Sequence, residues 1–145
     1  MPRDRRVSAK EYETLAAFRN ALAGFLGFSE AAAAAAGLTP SQYLALLAIK
    51  GNGGTLTIGA LAAWLRVHHH SAVGLVDRLE ALGLARRKPD PGDRRRVQVV
   101  PTRKGDRRVA RLAAIHRDEL RQVGGTWRDL LDRLAAPVGA SRPKR

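Results

Sequence analysis

Leu84-Ala-Arg-Arg-Lys-Pro-Asp-Pro-Gly-Asp-Arg-Arg-Arg-Val-Gln-Val-Val-Pro-Thr-Arg-Lys-Gly105 is the stretch that decides the fold of this chain. Its prolines and central glycine punctuate a turn, and the β-branched residues after the turn favour a returning strand. Three consecutive arginines, Arg94, Arg95 and Arg96, leave the turn. The stretch therefore predicts a short hairpin with guanidinium groups at its tip, which can reach a phosphate backbone or a narrow minor groove.

Two helices are predicted directly before the hairpin. Leu56 is expected to form a strand of one or two residues, and Thr57 caps a short helix after it. A turn at residues 66–68 leads to a second helix over about residues 69–82, with Gly83 at its C′ position. A short helix, a short turn, a second helix and a basic hairpin together make a winged helix-turn-helix, whose second helix can enter a DNA major groove.

Longer helices are predicted on both sides of this unit. Ser8-Ala-Lys-Glu11 fits a capping box, and apolar residues then recur at helical spacing to about Ala36. Thr39-Pro-Ser-Gln42 is a second capping box and begins the next helix. After the hairpin, Thr102 can cap a fifth helix, and Gly124-Gly125 are expected to end it before a short sixth helix.

The charge and composition narrow the classes of partner. The formal net charge is +13, from 26 Lys and Arg against 13 Asp and Glu, which favours nucleic acid or an anionic membrane surface as partner. No segment is long and apolar enough to span a bilayer, and the N-terminus lacks the apolar core of a secretory signal. The expected location is therefore the cytoplasm, with no membrane partner. The chain has no cysteine, which excludes disulfides and cysteine-ligated zinc.

Catalytic and metal-binding patterns are missing from the sequence. It holds no Gly-rich phosphate loop after a strand, no nucleophile elbow and no convincing carboxylate pair. The chain is therefore predicted not to be an enzyme, and no cofactor is expected. Three consecutive histidines, His68, His69 and His70, do not predict a metal site, because neighbouring side chains on a helix point about 100° apart.

In their order and spacing, several short motifs resemble the MarR (multiple antibiotic resistance regulator) family of bacterial transcription factors. The matching pieces are Gly37-Leu-Thr-Pro-Ser-Gln42, Leu61-Ala62, Val76-Asp-Arg-Leu-Glu-Ala-Leu-Gly-Leu84, Asp90-Pro-Gly-Asp-Arg-Arg95 and Thr102-Arg-Lys-Gly105. The resemblance implies a mainly α fold: a winged helix-turn-helix with a small antiparallel β wing and with N- and C-terminal dimerisation helices. It also implies a two-fold homodimer, and a cleft of the kind in which such proteins often accept small aromatic or phenolic anions.

The resemblance and the element order together predict four parts of the chain. They are an N-terminal dimerisation helix at 1–37, a DNA-binding lobe at 38–101, C-terminal dimerisation helices at 102–136, and a basic tail at 137–145 that is expected to be disordered.

Three positions depart from the family pattern. Two of them are the run His68-His69-His70 and Gly74, both on the helix expected to contact bases. Because of these departures, the DNA target of this chain cannot be inferred from those of family members. Pro101 is expected to shorten the return strand, because proline donates no hydrogen bond to a strand ladder.

Candidate DNA-binding residues lie on the second helix of the helix-turn-helix and on the wing. The helix contributes His68, His69, His70, Ser71, Gly74 and Arg78, and the wing contributes Arg94, Arg95 and Arg96. Histidine and serine can hydrogen-bond base edges, and glycine allows a close approach. The alternatives are an ordinary exposed helix start and a solvated run of charge. Asp93 is expected to pair with a wing arginine and hold the turn.

Through the resemblance, four residues become candidates for an effector pocket: Tyr12, Phe18, Tyr43 and His116. The alternative for the aromatic residues is a place in the hydrophobic core. His116 falls on the apolar stripe of the fifth helix, where a hydrogen-bonded core histidine is the ordinary outcome.

The predicted function is that of a sequence-specific, double-stranded DNA-binding transcriptional regulator, acting as a repressor released by a small-molecule effector. A homodimer would bind a pseudo-palindromic site with half-sites about one helical turn apart, roughly 10–10.5 bp. The alternative is a sequence-independent architectural DNA- or RNA-binding protein that uses the same charge without reading bases.

Overall fold

The structure, a computed structural model, describes residues 6–136, so the predicted basic tail lies outside the described residues. Along the chain the elements are α1 (Ala9–Ala35), α2 (Pro40–Gly51), β1 (Leu56–Thr57), α3 (Ile58–Leu65), α4 (His69–Ala81), β2 (Ala85–Pro89), β3 (Val97–Pro101) and α5 (Arg103–Ala135). This order of helices around one basic hairpin confirms the predicted fold class.

The described chain forms two compact units. The unit Ser29–His116 holds the large hydrophobic core, and the other unit combines residues 6–28 with 117–136. In the first unit the fully buried side chains include Leu46, Ile49, Leu61, Leu79, Leu84, Val99 and Leu112. In the second, Trp127 packs against Phe18 and Phe25, with ring centroids 6.3 and 5.6 Å apart. The predicted division into a DNA-binding lobe and dimerisation layers stays a prediction.

Local capping explains where four helices begin. The Ser8 amide donates to the Glu11 carboxylate at 2.7 Å, and the Glu11 amide donates to the Ser8 hydroxyl at 3.2 Å. Thr39 and Gln42 form the same reciprocal box at the start of α2. The hydroxyl of Thr57 accepts from the Ala60 amide at α3, and that of Thr102 accepts from the Gly105 amide at α5. These predicted helix starts are confirmed.

The three strands form one antiparallel sheet in the order β1-β3-β2. Leu56 pairs with Val99, which confirms the predicted short strand. The expectation that Pro101 shortens the return strand is wrong, because Pro101 lies in β3 and pairs with Ala85. The ladder does not need an N–H from Pro101, since the Thr102 amide donates to the Leu84 carbonyl at 3.1 Å instead.

The predicted break at Gly124-Gly125 is also wrong, because α5 is one helix from Arg103 to Ala135. A glycine inside a helix costs only about 1 kcal/mol relative to alanine. Packing on either side of the pair, as at Trp127 against Phe25, is enough to offset that cost.

The end of α4, the start of β2 and the start of α5 meet at one junction. Gly83 has φ +69°, which lets the chain turn directly from α4 into β2. The Thr102 hydroxyl donates to the Gly83 carbonyl at 2.6 Å, and the Lys104 ammonium donates to the Leu82 carbonyl at 2.9 Å. A Cβ atom built on Gly105 would lie 1.9 Å from the Leu84 carbonyl oxygen, so the backbones touch here.

Among residues 6–136 no single helix has the length and apolar composition needed to cross a membrane, although α1 and α2 taken as a bent pair do.

Candidate nucleic-acid interface

The helix α4 buries one face and presents another. Its buried residues, Ala72, Leu75, Val76 and Leu79, follow the i, i+3, i+4, i+7 spacing of a single face. His70, Gly74 and Arg78 follow one another four residues apart on the outward side, where the histidine and the arginine are exposed. A Cβ atom on Gly74 would lie 3.4 Å from a guanidinium nitrogen of Arg78. The arginine therefore reaches back along the helix over the glycine.

The three histidines stand at the start of α4 and are exposed. His68 is the N-cap residue, and its side chain makes no capping hydrogen bond. The rings of His68 and His70 stack with their centroids 5.5 Å apart, while His69 lines a cavity beside α3. Ser71 is exposed in the next position. The first turn of α4 thus presents several polar side chains to a partner.

The cavity beside α3 measures about 490 Å³ and is lined by residues of β1, α3, α4, β3 and the turn before β3. Its lining comes from Thr57, Ile58, Gly59, Ala60, His69, Arg95, Arg96 and Val97. The start of α3 contributes the positive end of its helix dipole, and the two arginines contribute full positive charges. The combination suits an anionic group such as a phosphate.

The wing, residues 85–101, keeps its shape through two carboxylates. Asp90 accepts from the Gly92 amide at 2.9 Å and from the Gln98 side-chain amide at 3.2 Å. These two hydrogen bonds, the one from Gly92 first, hold the pKa of Asp90 below its ordinary value. Asp93 accepts from the Arg95 amide at 2.9 Å, and its carboxylate lies 4.0 Å from Arg96 Nε. Asp93 therefore meets a wing arginine as predicted.

All three wing arginines are exposed. Within residues 6–136, Arg96 forms a long ion pair with Asp93, at 4.0 Å. The side chains of Arg94 and Arg95 form no ion pair. No acidic side chain among the described residues neutralises Arg94 or Arg95.

Arg87 is a residue of this surface that the sequence reasoning missed. Its guanidinium group extends from β2 to α4, where it donates to Asp77 at 2.7 Å and also pairs with Glu80. The hydrogen bond to Asp77 is the main cause that raises the pKa of Arg87 above its ordinary value. The sequence feature that could have indicated this pairing is the spacing of Asp77 and Glu80, which puts two carboxylates one helical turn apart on α4.

The four effector candidates have different surroundings. In the unit Ser29–His116, Tyr43 and His116 stack with ring centroids 4.6 Å apart, and both are buried. The Nδ1 of His116 donates to the Leu112 carbonyl at 2.7 Å, and its Nε2 is hydrogen-bonded to the Ser29 hydroxyl at 2.7 Å. In the other unit, Tyr12 is exposed and Phe18 packs on Trp127.

The sequence profile of the MarR family matches residues 36–96, the segment that runs from the end of α1 to the arginines of the wing. Over this segment, 61 of the 145 residues, the chain is similar to the MarR family. A curated relative of this chain is YcgE of Bacillus subtilis, an uncharacterised transcriptional regulator of the helix-turn-helix type. It is 43% identical over 74 residues, which cover 51% of this chain and 47% of YcgE. The chain spans about half the length of the curated relatives it matches.

Solved MarR structures share the fold. AbsC, a MarR family transcriptional regulator from Streptomyces coelicolor, has a TM-score of 0.69 over 92% of this chain and 86% of AbsC, at 21% identity. A mutant of MarR from E. coli, crystallised with operator DNA, has a TM-score of 0.64 over 81% of this chain and 90% of its own, at 20% identity.

Proposed function

We propose that this chain is a sequence-specific, double-stranded DNA-binding transcriptional regulator. One observation carries the proposal: His69 at the start of α4 and Arg95 and Arg96 of the wing line one cavity. His70, Ser71 and Arg78 are exposed on the same helix as His69. Phosphates held in the cavity would fix the position of the duplex, and the side chains of α4 would then read base edges.

The relatives support this proposal in two ways. The mutant MarR from E. coli was crystallised with operator DNA, and the curated relatives are described as transcriptional regulators. A family of regulators also supports the prediction that this chain is not an enzyme.

We propose that the regulator is a homodimer. In the unit of residues 6–28 and 117–136, Leu15, Leu26 and Leu131 are each about half exposed. Leucines in contact with water favour a partner that covers them. A two-fold dimer would place two copies of α4 on a pseudo-palindromic site.

We propose repression, released by a small aromatic or phenolic effector, as the form of regulation. Tyr43 and His116 are buried, so an effector contacts them only where the core opens. Such an effector acts through its difference in affinity between the DNA-bound and free conformations.

The test is selection of genomic fragments on the purified full chain at about 0.15 M salt, which suppresses non-specific phosphate binding. A small set of fragments that share an inverted repeat is the expected result. Fragments with no shared motif would instead indicate the alternative, a sequence-independent architectural protein. Equal affinity for a selected duplex and its scrambled version would lead to the same conclusion.

The His70→Ala and Ser71→Ala variants test which residues read bases. Each is expected to change the selected sequence and to weaken binding to the wild-type site by about 1–3 kcal/mol, because a direct base contact is lost. Arg95→Ala is the contrasting variant, and it should weaken binding to all duplexes alike. If the selected sequences of His70→Ala and Ser71→Ala matched those of the wild type, neither residue would be a reader.

Arg87→Met tests whether the ion pairs between β2 and α4 support DNA binding. The change keeps an unbranched, largely apolar stem but leaves Asp77 and Glu80 without their cation, so both carboxylates would repel nearby phosphates. We expect a loss of about tenfold in affinity, or about 1.4 kcal/mol. The free energy of unfolding should fall by only about 1 kcal/mol or less, since these pairs are partly exposed.

Arg86→Met is the matched control, because the neighbouring Arg86 is exposed and has no ion pair among residues 6–136. DNA affinity is measured by fluorescence anisotropy. Equal losses in the two variants would mean that Arg87 contributes only its positive charge and that its ion pairs do not support DNA binding.

A further inference from the structure

The first turns of α5 carry many positive charges, although positive charge near the N-terminus of a helix is destabilising. Five of the nine residues from Arg103 to Arg111 are cations, and the single acid among them, Asp106, pairs with Lys50 at 2.9 Å. Cations are unfavourable near a helix N-terminus, where the macrodipole is positive. Like charges four residues apart, as at Lys104 and Arg108, destabilise a helix further. A bound anion would remove both penalties.

Four of these cations line one open groove of about 330 Å³. They are Lys104, Arg107, Arg108 and Arg111, whose i, i+3, i+4, i+7 spacing puts them on one side of α5. No acidic side chain contributes to the lining. The volume lies at the small end of the range for ligand sites, which is about 300–1,000 Å³.

Two of the four cations are already held in place. Lys104 donates to the Leu82 carbonyl at 2.9 Å, and Arg108 donates to the Ala36 carbonyl at 3.1 Å. Carbonyl groups are neutral, so these contacts position the charges without cancelling them. Arg107 and Arg111 are exposed and have no ion pair within the described residues 6–136. The groove thus combines two fixed cations with two that can close on a ligand.

The groove is separate from the surface at the start of α4. Lys104 contacts the chain just beyond the C-terminal end of α4, and the 13 residues of this helix make it roughly 20 Å long. The groove therefore lies near the end of α4 that is opposite His69.

We propose that this groove binds a multivalent phosphate anion. Arginine forks hold phosphate oxygens through pairs of hydrogen bonds, and lysine adds a compact point charge. Four cations match a ligand with several negative charges, such as a pyrophosphate group. The phosphates could belong to a free compound or to a nucleic-acid backbone, and the two sources give different results in the test below. The proposal does not depend on the proposed function.

Two double variants of the full chain separate the groove from the wing. Arg107→Gln/Arg111→Gln removes two groove charges, and Arg94→Gln/Arg95→Gln removes two wing charges. All four residues are exposed, so both variants should fold. The probes are inorganic pyrophosphate, titrated by calorimetry at about 0.15 M salt against a sodium chloride blank, and a DNA duplex that the wild type binds.

The wild type and the wing variant are expected to bind pyrophosphate in the groove with similar affinity. The groove variant should lose about tenfold or more, which corresponds to about 1.4 kcal/mol. A different result would assign the phosphates to nucleic acid. In that case pyrophosphate does not bind, and the groove variant binds DNA more weakly than the wild type. Its slope of log affinity against log salt concentration is then smaller in magnitude than that of the wild type by about 2. Equal losses of pyrophosphate affinity in both variants would show only general attraction and would overturn the proposal. So would unchanged binding of both probes in the groove variant.

Discussion

Replacing Gly105 by alanine is expected to cost about 3 kcal/mol of the free energy of unfolding, or to prevent folding. The added Cβ would lie 1.9 Å from the Leu84 carbonyl oxygen and 2.9 Å from the Leu84 carbonyl carbon. Both atoms belong to backbone that the Thr102 amide also holds, at 3.1 Å from that oxygen. The strand and the helix would therefore have to move apart as whole elements.

Gly59→Ala is the matched control for this prediction. Gly59 also lies in a helix of the unit Ser29–His116, and a Cβ atom there would meet nothing within 4 Å. Alanine at this position should raise stability by about 0.5–1 kcal/mol, because it restricts the unfolded chain. Urea unfolding of both variants measures the difference. A Gly105→Ala protein as stable as the wild type would mean that the contact between α5 and Leu84 is not close in solution.

The triple variant Arg94→Gln/Arg95→Gln/Arg96→Gln is expected to have the largest effect on DNA binding. If each arginine contacts a phosphate, the loss is about 1 kcal/mol per contact, or roughly 100-fold in total. The slope of log affinity against log salt concentration should fall in magnitude by about 2.7. The folded state should be nearly unaffected, because these side chains are exposed and only Arg96 approaches an acid within residues 6–136.

A charge-matched variant shows whether position or net charge causes this loss. Arg117, Arg121 and Arg128 are exposed arginines of α5 that lie in the other compact unit. Their replacement by glutamine lowers the net charge by the same amount. Titration of a selected duplex at several salt concentrations should show a much smaller change than the wing variant does. Equal changes in slope and affinity would exclude the wing as a specific DNA contact.

The sequence predicted well those parts of the fold that depend on neighbours along the chain. Capping by Thr39, Thr57 and Thr102 involves residues three positions apart, so the pattern is visible in the sequence itself. The outward side of α4 could be predicted for the same reason, since the spacing of its apolar residues fixes which face is buried.

Contacts between distant residues could not be predicted in this way. The pairing of Arg87 with Asp77 and the hydrogen bond from Lys104 to the Leu82 carbonyl depend on where whole elements pack. The errors at Pro101 and at Gly124-Gly125 have a similar origin. At Pro101, the preference of proline against a strand is outweighed by the pairing of β3 with β2. At Gly124-Gly125, the preference of glycine against a helix is outweighed by the packing of Trp127 on Phe25.

The junction between α4 and α5 couples the movements of the two helices. Thr102 and Lys104 tie the start of α5 to the carbonyls of Gly83 and Leu82, just beyond the end of α4, and Gly105 lies directly against the Leu84 carbonyl. A tilt of α5 by about 10° would therefore carry α4 with it and displace its far end, roughly 20 Å away, by about 3 Å. That displacement is comparable to the length of a hydrogen bond. If His69 and His70 contact base edges as proposed, a small motion of α5 is therefore enough to move them out of reach.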